Sequence, residues 1–218
     1  MTIARKNLMT ARLRALALVL ILPLALGACG INAIPTKEEQ VKAAWGDVQS
    51  QYQRRADLIP NLVATVQGYA QQERAVLVEV TEARASATQV KVDASTISDP
   101  ATFAKYQAAQ SQLSGVLGRL MVISEKYPDL KSNQNFLALQ SQLEGTENRI
   151  TVARRDYNEA VRVYNTEIRT VPGVIWASTF YRSAKPLQAF AATDSAQSAP
   201  KVSFAPPASP AAAMPGSK

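Results

Sequence analysis

No histidine occurs anywhere in the chain. That removes Ser-His-Asp and Cys-His nucleophilic catalysis and histidine metal ligation. It also removes the Glu-x-x-His di-iron sites that some helical bundles carry. No glycine-rich phosphate loop appears. There is one cysteine, Cys29. Aromatic residues make up only 6% of the 218 residues, so the core must be built mainly from Leu, Val, Ile and Ala. Nine glycines and a shortage of alternating, strand-like runs argue for an all-α chain.

Basic residues give a formal net charge of +7, unevenly placed. Arg5, Lys6, Arg12 and Arg14 lie in the first 28 residues, which hold no acid. The 24 basic residues less these four leave 20 against 17 acidic ones, or +3. The basic balance is therefore partly a targeting signal, and it argues against a nucleic-acid partner. The apolar run that follows, Ala15 to Leu26, has twelve residues and contains Pro23. A bilayer span needs roughly 20. The run ends in Leu26-Gly27-Ala28-Cys29, which resembles the bacterial lipobox. Residues 1–28 are expected to be a lipoprotein signal peptide and Cys29 the lipid acceptor, giving attachment to a membrane facing the periplasm. Gly30 stands where Asp would mark an inner-membrane lipoprotein, which favours the outer membrane. A single-pass anchor through the apolar run is the fallback.

The chain is organised around Tyr127 to Pro172. Phe136, Leu139, Leu143, Ile150, Ala153, Tyr157, Val161, Tyr164 and Ile168 recur at three- and four-residue steps, with Thr146 in the one skipped position. This is the narrow stripe of a long helix that must bury it against neighbours. Upstream, Thr36-Lys37-Glu38-Glu39 reads as a capping box opening a helix that carries Val41, Trp45, Val48 and Tyr52 on one face. Pro60 predicts a kink or short break near Asp57 to Pro60. The stripe continues through Val76, Val80, Ala83 and Ala87 and fades at Lys91 to Ser98. Asp99-Pro100 starts a second long helix, with Asp99 as cap, and Pro128 stops it. Val171-Pro172-Gly173 ends the third, and Val174 to Tyr181 is a short apolar piece expected over one end of the bundle. From Pro186 the composition turns to Ala, Pro and Ser, predicting a disordered tail.

The resulting expectation is an elongated, antiparallel up-and-down helical bundle of three long helices, the first kinked near Pro60, plus a short C-terminal helix. Residues 29–36 form a tether, 37–185 the bundle and 186–218 the tail. Gly68, Gly115, Gly118 and Gly145 are expected where helix backbones approach closely.

Several segments together resemble the LemA family: RRADLIPNLVATVQGYA, VTEARA, QLSGVLGRL, YPDLKSNQNFLALQSQLEGTENRI and ARRDYNEAVRVYNTEIRTVP. They cover most of residues 40–172 in the family's order. The resemblance implies a helical bundle held at a membrane outside the cytoplasm, with no established enzymatic activity. It also implies an envelope partner, a TPM-domain protein or a membrane peptidase. Two departures stand out. A lipobox replaces the N-terminal transmembrane helix of many members, and Val171-Pro172 replaces the usual Phe-Pro.

Candidate functional residues are then few. Glu144 and Glu147 lie three apart and could pair for acid–base or metal work, with Glu79 and Glu82 as possible facing acids. The simpler reading is a solvated helix face. Arg54-Arg55 and Arg154-Arg155 could contact acidic partners, lipid headgroups or peptidoglycan, or form surface ion pairs such as Arg155 with Glu159. Tyr157 and Tyr164 read as core residues whose hydroxyls reach a partner at the rim. The candidate partner-binding surface is Arg54, Arg55, Asp57, Asn61, Glu144, Glu147, Arg154, Arg155 and Asn158. The functional expectation is a non-catalytic scaffold or binding protein of the cell envelope, without cofactor or metal, in which self-association is possible. The alternative is a carboxylate- or divalent-metal-dependent enzyme, or an accessory subunit of a membrane peptidase or transport system.

Overall fold

The computed structural model describes residues 30–89 and 95–191. The expected signal peptide, Cys29 and the tail from residue 192 lie outside the described residues. Within them the chain is all-α: α1 (Ala33–Tyr69), a 3-10 turn (Gln71–Glu73), α2 (Arg74–Gln89), α3 (Pro100–Ser124), α4 (Pro128–Lys131), α5 (Gln134–Glu167) and α6 (Gly173–Thr179).

The expected start at Asp99 forms as a side-chain cap, and α5 opens on a second cap at Asn133. The Asp99 carboxylate accepts the Thr102 amide at 2.9 Å, and the Asn133 side chain accepts that of Phe136 at 3.0 Å. The capping box at Thr36 does not form, because α1 begins three residues earlier. The Thr36 hydroxyl instead donates back to the Asn32 carbonyl at 2.7 Å, and Glu39 accepts from Lys42 at 2.7 Å. The tether expected over 29–36 is therefore partly helix.

The largest correction concerns the first helix. α1 runs unbroken through Pro60, and the chain turns back on itself at Ala70–Glu73. Pro60 cannot donate to the carbonyl of Ala56, four residues before it. Arg84 on α2 replaces that donor, its Nε lying 2.7 Å from the Ala56 oxygen. The carbonyl that proline orphans is thus satisfied across the hairpin, and the helix continues. The turn itself falls in Gln71-Gln72-Glu73-Arg74, where the apolar stripe has nothing to bury.

α1 and α5 pair antiparallel over their length. Trp45 packs on Tyr157 (5.2 Å between ring centroids), Arg55 reaches Glu147, and Tyr69 accepts from Asn133. α2 folds back along the second half of α1, and α3 lies beside α2, so α1, α2, α3 and α5 enclose that half. Its core is aliphatic, built on Ile59, Leu62, Val66, Leu77, Val80, Leu113, Leu120 and Leu143. The half nearer Gly30 has an aromatic core of Trp45, Tyr52, Phe103, Tyr106, Tyr157 and Tyr164. There the extended segment 184–191 closes the side that α2 does not reach. Leu187 and Phe190 are buried, so the packed region extends past the expected boundary at 185. α6 packs over the end of the bundle, as its apolar run predicted, with Trp176 and Ala177 against the aromatic core. Thr146 is fully buried in the α5 seam and donates to the Gln142 carbonyl at 2.7 Å.

Glycine marks no close helix approach at the expected positions. A Cβ built on Gly68, Gly115 or Gly118 meets nothing within 4 Å, and one on Gly145 meets only the end of the Arg149 side chain at 3.7 Å. Gly173 is the exception, since a Cβ there would lie 2.1 Å from the Glu167 carbonyl oxygen.

Candidate functional site

Arg55 is not a surface residue. It is 1% exposed and lies between the two cores. Its guanidinium donates to the Gln110 side-chain oxygen at 2.6 Å, the Gln110 carbonyl at 3.3 Å and the Ser114 hydroxyl at 2.7 Å. It also pairs with Glu147 at 3.0 Å and lies over the Tyr52 ring at 5.0 Å. The Gln110 amide in turn donates at 3.3 Å to Ala87, one of the last carbonyls of α2. A buried charge is tolerated when most of its donors are matched; the two Nη groups are, while Nε is buried without a partner. Here α1, α2, α3 and α5 all supply a group, so the node sets their register. It consumes Arg55 and Glu147 as structure.

Two more sequence-nominated residues are occupied by the chain itself. Asn158 donates to the Phe190 carbonyl at 3.0 Å and accepts the Phe190 amide at 2.8 Å. Asn165, seven residues on along α5, does the same for Leu187, at 2.9 Å in both directions. The two side-chain amides mimic a neighbouring strand. Between them the Tyr157 hydroxyl donates to Gln188 at 2.6 Å, and the Gln188 amide donates to Ile97 at 2.8 Å. Arg154 lies over the Phe190 ring at 4.5 Å and donates to the Ala191 carbonyl at 3.3 Å. The rim partner predicted for Tyr157 is this segment. Asn165 was the residue whose role sequence reasoning missed. The retrospective signal is two asparagines at a seven-residue spacing beside an apolar seam.

The remaining candidates are exposed. Arg54 and Asp57 line an open groove of about 730 Å³ on the α1–α5 side, together with Gln53, Leu58 and Gln142. Asp57 accepts from Gln53 at 2.7 Å. Asn61 lies one turn further on, exposed. Glu144 is exposed and accepts from Gln140 at 3.1 Å, so the Glu144–Glu147 pair is divided between solvent and the Arg55 node. Glu79 pairs with Arg119, which places it in an ion pair rather than facing those acids. Arg155 pairs with Asp156, while Glu159 takes Arg162, so the expected Arg155–Glu159 bridge does not form. No group of three or more acidic, cysteine or histidine side chains is placed to hold a metal among the described residues.

The perturbed acidities in the core belong to tyrosines. Burial raises Tyr52, Tyr106, Tyr157 and Tyr164 above the usual phenol value, with the neighbouring Tyr52 adding to the shift at Tyr106. All four are therefore neutral. Tyr164 borders an open cleft of about 580 Å³ with Glu38, Lys42 and Lys185, where Glu38 is paired with Lys42. No helix among the described residues is long and apolar enough to cross a membrane.

Comparison with known proteins gives one consistent result. The model of the LemA family matches residues 44–204. Magnetosome protein MamQ 2 of Paramagnetospirillum magneticum is 25% identical over 157 residues, covering 65% of this chain and 58% of the relative. Protein LemA of Metamycoplasma hominis is 23% identical over 139 residues, covering 64% and 59%. Magnetosome protein MamQ of Magnetospirillum gryphiswaldense is 24% identical over 157 residues, covering 65% and 58%. The chain thus spans less than two thirds of the length of these relatives.

Proposed function

The chain belongs to the LemA family, and from that premise we propose that it is a membrane-attached periplasmic lipoprotein acting as a non-catalytic helical scaffold of the cell envelope. The observation that carries the reading is where the chain leaves the bundle. Gly30, next to the lipobox Cys29, lies at the α6 end: a Cβ on it would be 3.2 Å from Pro172 and 3.3 Å from Trp176. A lipid on Cys29 would hold the bundle by that end. α1 has 37 residues, or about 55 Å at 1.5 Å per residue. The groove beside Arg54 and Asp57 would then stand well clear of the bilayer, open to a protein partner. An envelope protein with a TPM domain or a membrane peptidase is the partner class the family suggests. The internal use of Arg55, Glu147, Arg154 and Asn158 supports a scaffold, because the polar groups at the core boundary hold helices together.

Intact mass and membrane fractionation of the native protein, beside a Cys29→Ser variant, test the attachment. The expected mature form begins at Cys29 with added acyl mass, and the variant leaves the membrane or stalls as precursor. A chain that keeps its own N-terminus, carries no acyl mass and stays in the membrane would contradict the lipoprotein reading.

A further inference from the structure

We propose that the outer face of α6 and the residues flanking it form a second membrane contact, lying on an anionic lipid surface beside the acyl anchor. The inference rests on the attachment just proposed and adds a surface to it.

α6 is apolar on both sides. Gly173 is buried, and Ala177, one turn on, packs toward the aromatic core. Val174 and Ile175 fall on the opposite side of the turn, and Val171 lies in the turn just before the helix. Ile175 is 50% exposed, Phe180 67% and Val171 77%. Other large apolar side chains are exposed elsewhere, but singly along the helices. Here Val171, Val174, Ile175 and Phe180 fall within ten residues of sequence at one tip. Apolar exposure gathered at one end in this way marks a contact surface.

The occupant follows from the position of the tip. Gly30 packs against Pro172 and Trp176, so Cys29 lies one residue away, within about 4 Å of backbone. An acyl chain entering a bilayer from Cys29 draws α6 to the lipid surface. The same holds if the Ala15–Leu26 run is retained as the anchor. The charges around the tip agree. Arg169, Arg182 and Lys185 are exposed and form no ion pair with a described carboxylate, whereas Glu167 is paired with Lys37 and Glu38 and Glu39 share Lys42, so five cations stand against three carboxylates. The uncompensated charge is positive, as anionic phosphates require. Trp176 and Tyr181 are half-buried beside the patch, and the Trp176 ring lies 5.8 Å from that of Phe180, tilted against it. A short amphipathic element with Lys and Arg at its margin lies in the interface plane with its apolar face a few ångströms into the acyl boundary.

The test uses the full chain purified from membranes and reconstituted in vesicles of phosphatidylethanolamine and phosphatidylglycerol. Acylation occupies the only native cysteine, so added cysteines carry a label uniquely. Val174→Cys and Phe180→Cys, each bearing a polarity-sensitive fluorophore, are compared with Lys126→Cys at the far end of the bundle. The expected result is loss of emission at 174 and 180 when lipids quenched at shallow depth are included, and none at 126. Adding Ile175→Glu removes the quenching while the protein stays on the vesicles. Unquenched labels at 174 and 180 on vesicle-bound protein overturn the docking and leave the anchor intact. If the labels quench one another on vesicle-bound protein instead, the face is an interface between two copies and the proposal fails. Protein that does not stay with the vesicles contradicts the attachment itself, a different outcome from either.

Discussion

At Arg55 a guanidinium is almost entirely removed from water, and its one carboxylate partner, Glu147, keeps 51% of its side chain exposed. The pair is therefore partly screened, and the neutral acceptors Gln110 and Ser114 carry much of the burden. This orders three substitutions. Glu147→Gln should cost about 1 kcal/mol, since solvent still reaches the site. Arg55→Ala should cost roughly 3 kcal/mol, because Gln110 and Ser114 lose their donor and a cavity opens between the cores. Arg55→Met restores the aliphatic stem and should lose less than Arg55→Ala. Urea midpoints measure all three. Equal losses for Met and Ala would mean that the hydrogen bonds, and not packing, carry the site. A second residue-level prediction concerns alkali. Tyr52, Tyr106, Tyr157 and Tyr164 ionise later when folded than when unfolded. The unfolded chain therefore loses these protons first. Their contribution is complete below pH about 10, the free phenol value, and falls as pH rises above it. Unfolding midpoints taken through that range should drop steeply, with tyrosinate absorbance rising together with unfolding.

Among the elements, the glycines make opposite predictions. Gly46, Gly115 and Gly118 sit in helix interiors and Gly68 in the last turn of α1, each with open space where a Cβ would go. Each Gly→Ala change should stabilise by about 0.5–1 kcal/mol by reducing unfolded-chain freedom. Gly173→Ala should destabilise, because its Cβ would strike the Glu167 backbone. Thermal denaturation of the five single variants decides both signs. The extended segment 184–191 gives another test. Phe190→Ala should cost roughly 3–4 kcal/mol, since the ring touches Trp45, Phe103 and Tyr157. Asn158→Ala should cost about 1–2 kcal/mol by orphaning both backbone groups of Phe190. Hydrogen exchange should find the Leu187, Gln188 and Phe190 amides protected, with Phe190 released in Asn158→Ala.

These elements also show what could be read from residue order. Stripe spacing located α3 and α5, and Asp99 marked the start of α3, because period and caps are local. The hairpin between α1 and α2 was hidden by Pro60, the loudest local signal in that stretch. Its cost is relieved by Arg84, 24 residues away in sequence and invisible to a local rule. The true turn was legible only as a gap in the stripe between Ala70 and Val76. The segment 184–191 was hidden by composition: Leu187 and Phe190 stand alone among Ala, Lys, Pro and Gln, and their hydrogen-bond partners on α5 are polar. Arg55 and Asn158 looked like surface residues for the same reason, since nothing local says that a polar side chain faces another helix.

For the whole molecule, the proposed reading is a rod held by one end, its far half and the Arg54–Asp57 groove turned to a partner. The measurement that tests this most directly is photo-crosslinking in living cells, with the probe amino acid placed at Asp57 and Gln142 in the groove and at Lys105 on α3. The account predicts a discrete adduct with one envelope protein from the groove positions, dependent on Cys29, and none from Lys105. No adduct above background from the groove or from any other exposed helix position would contradict it.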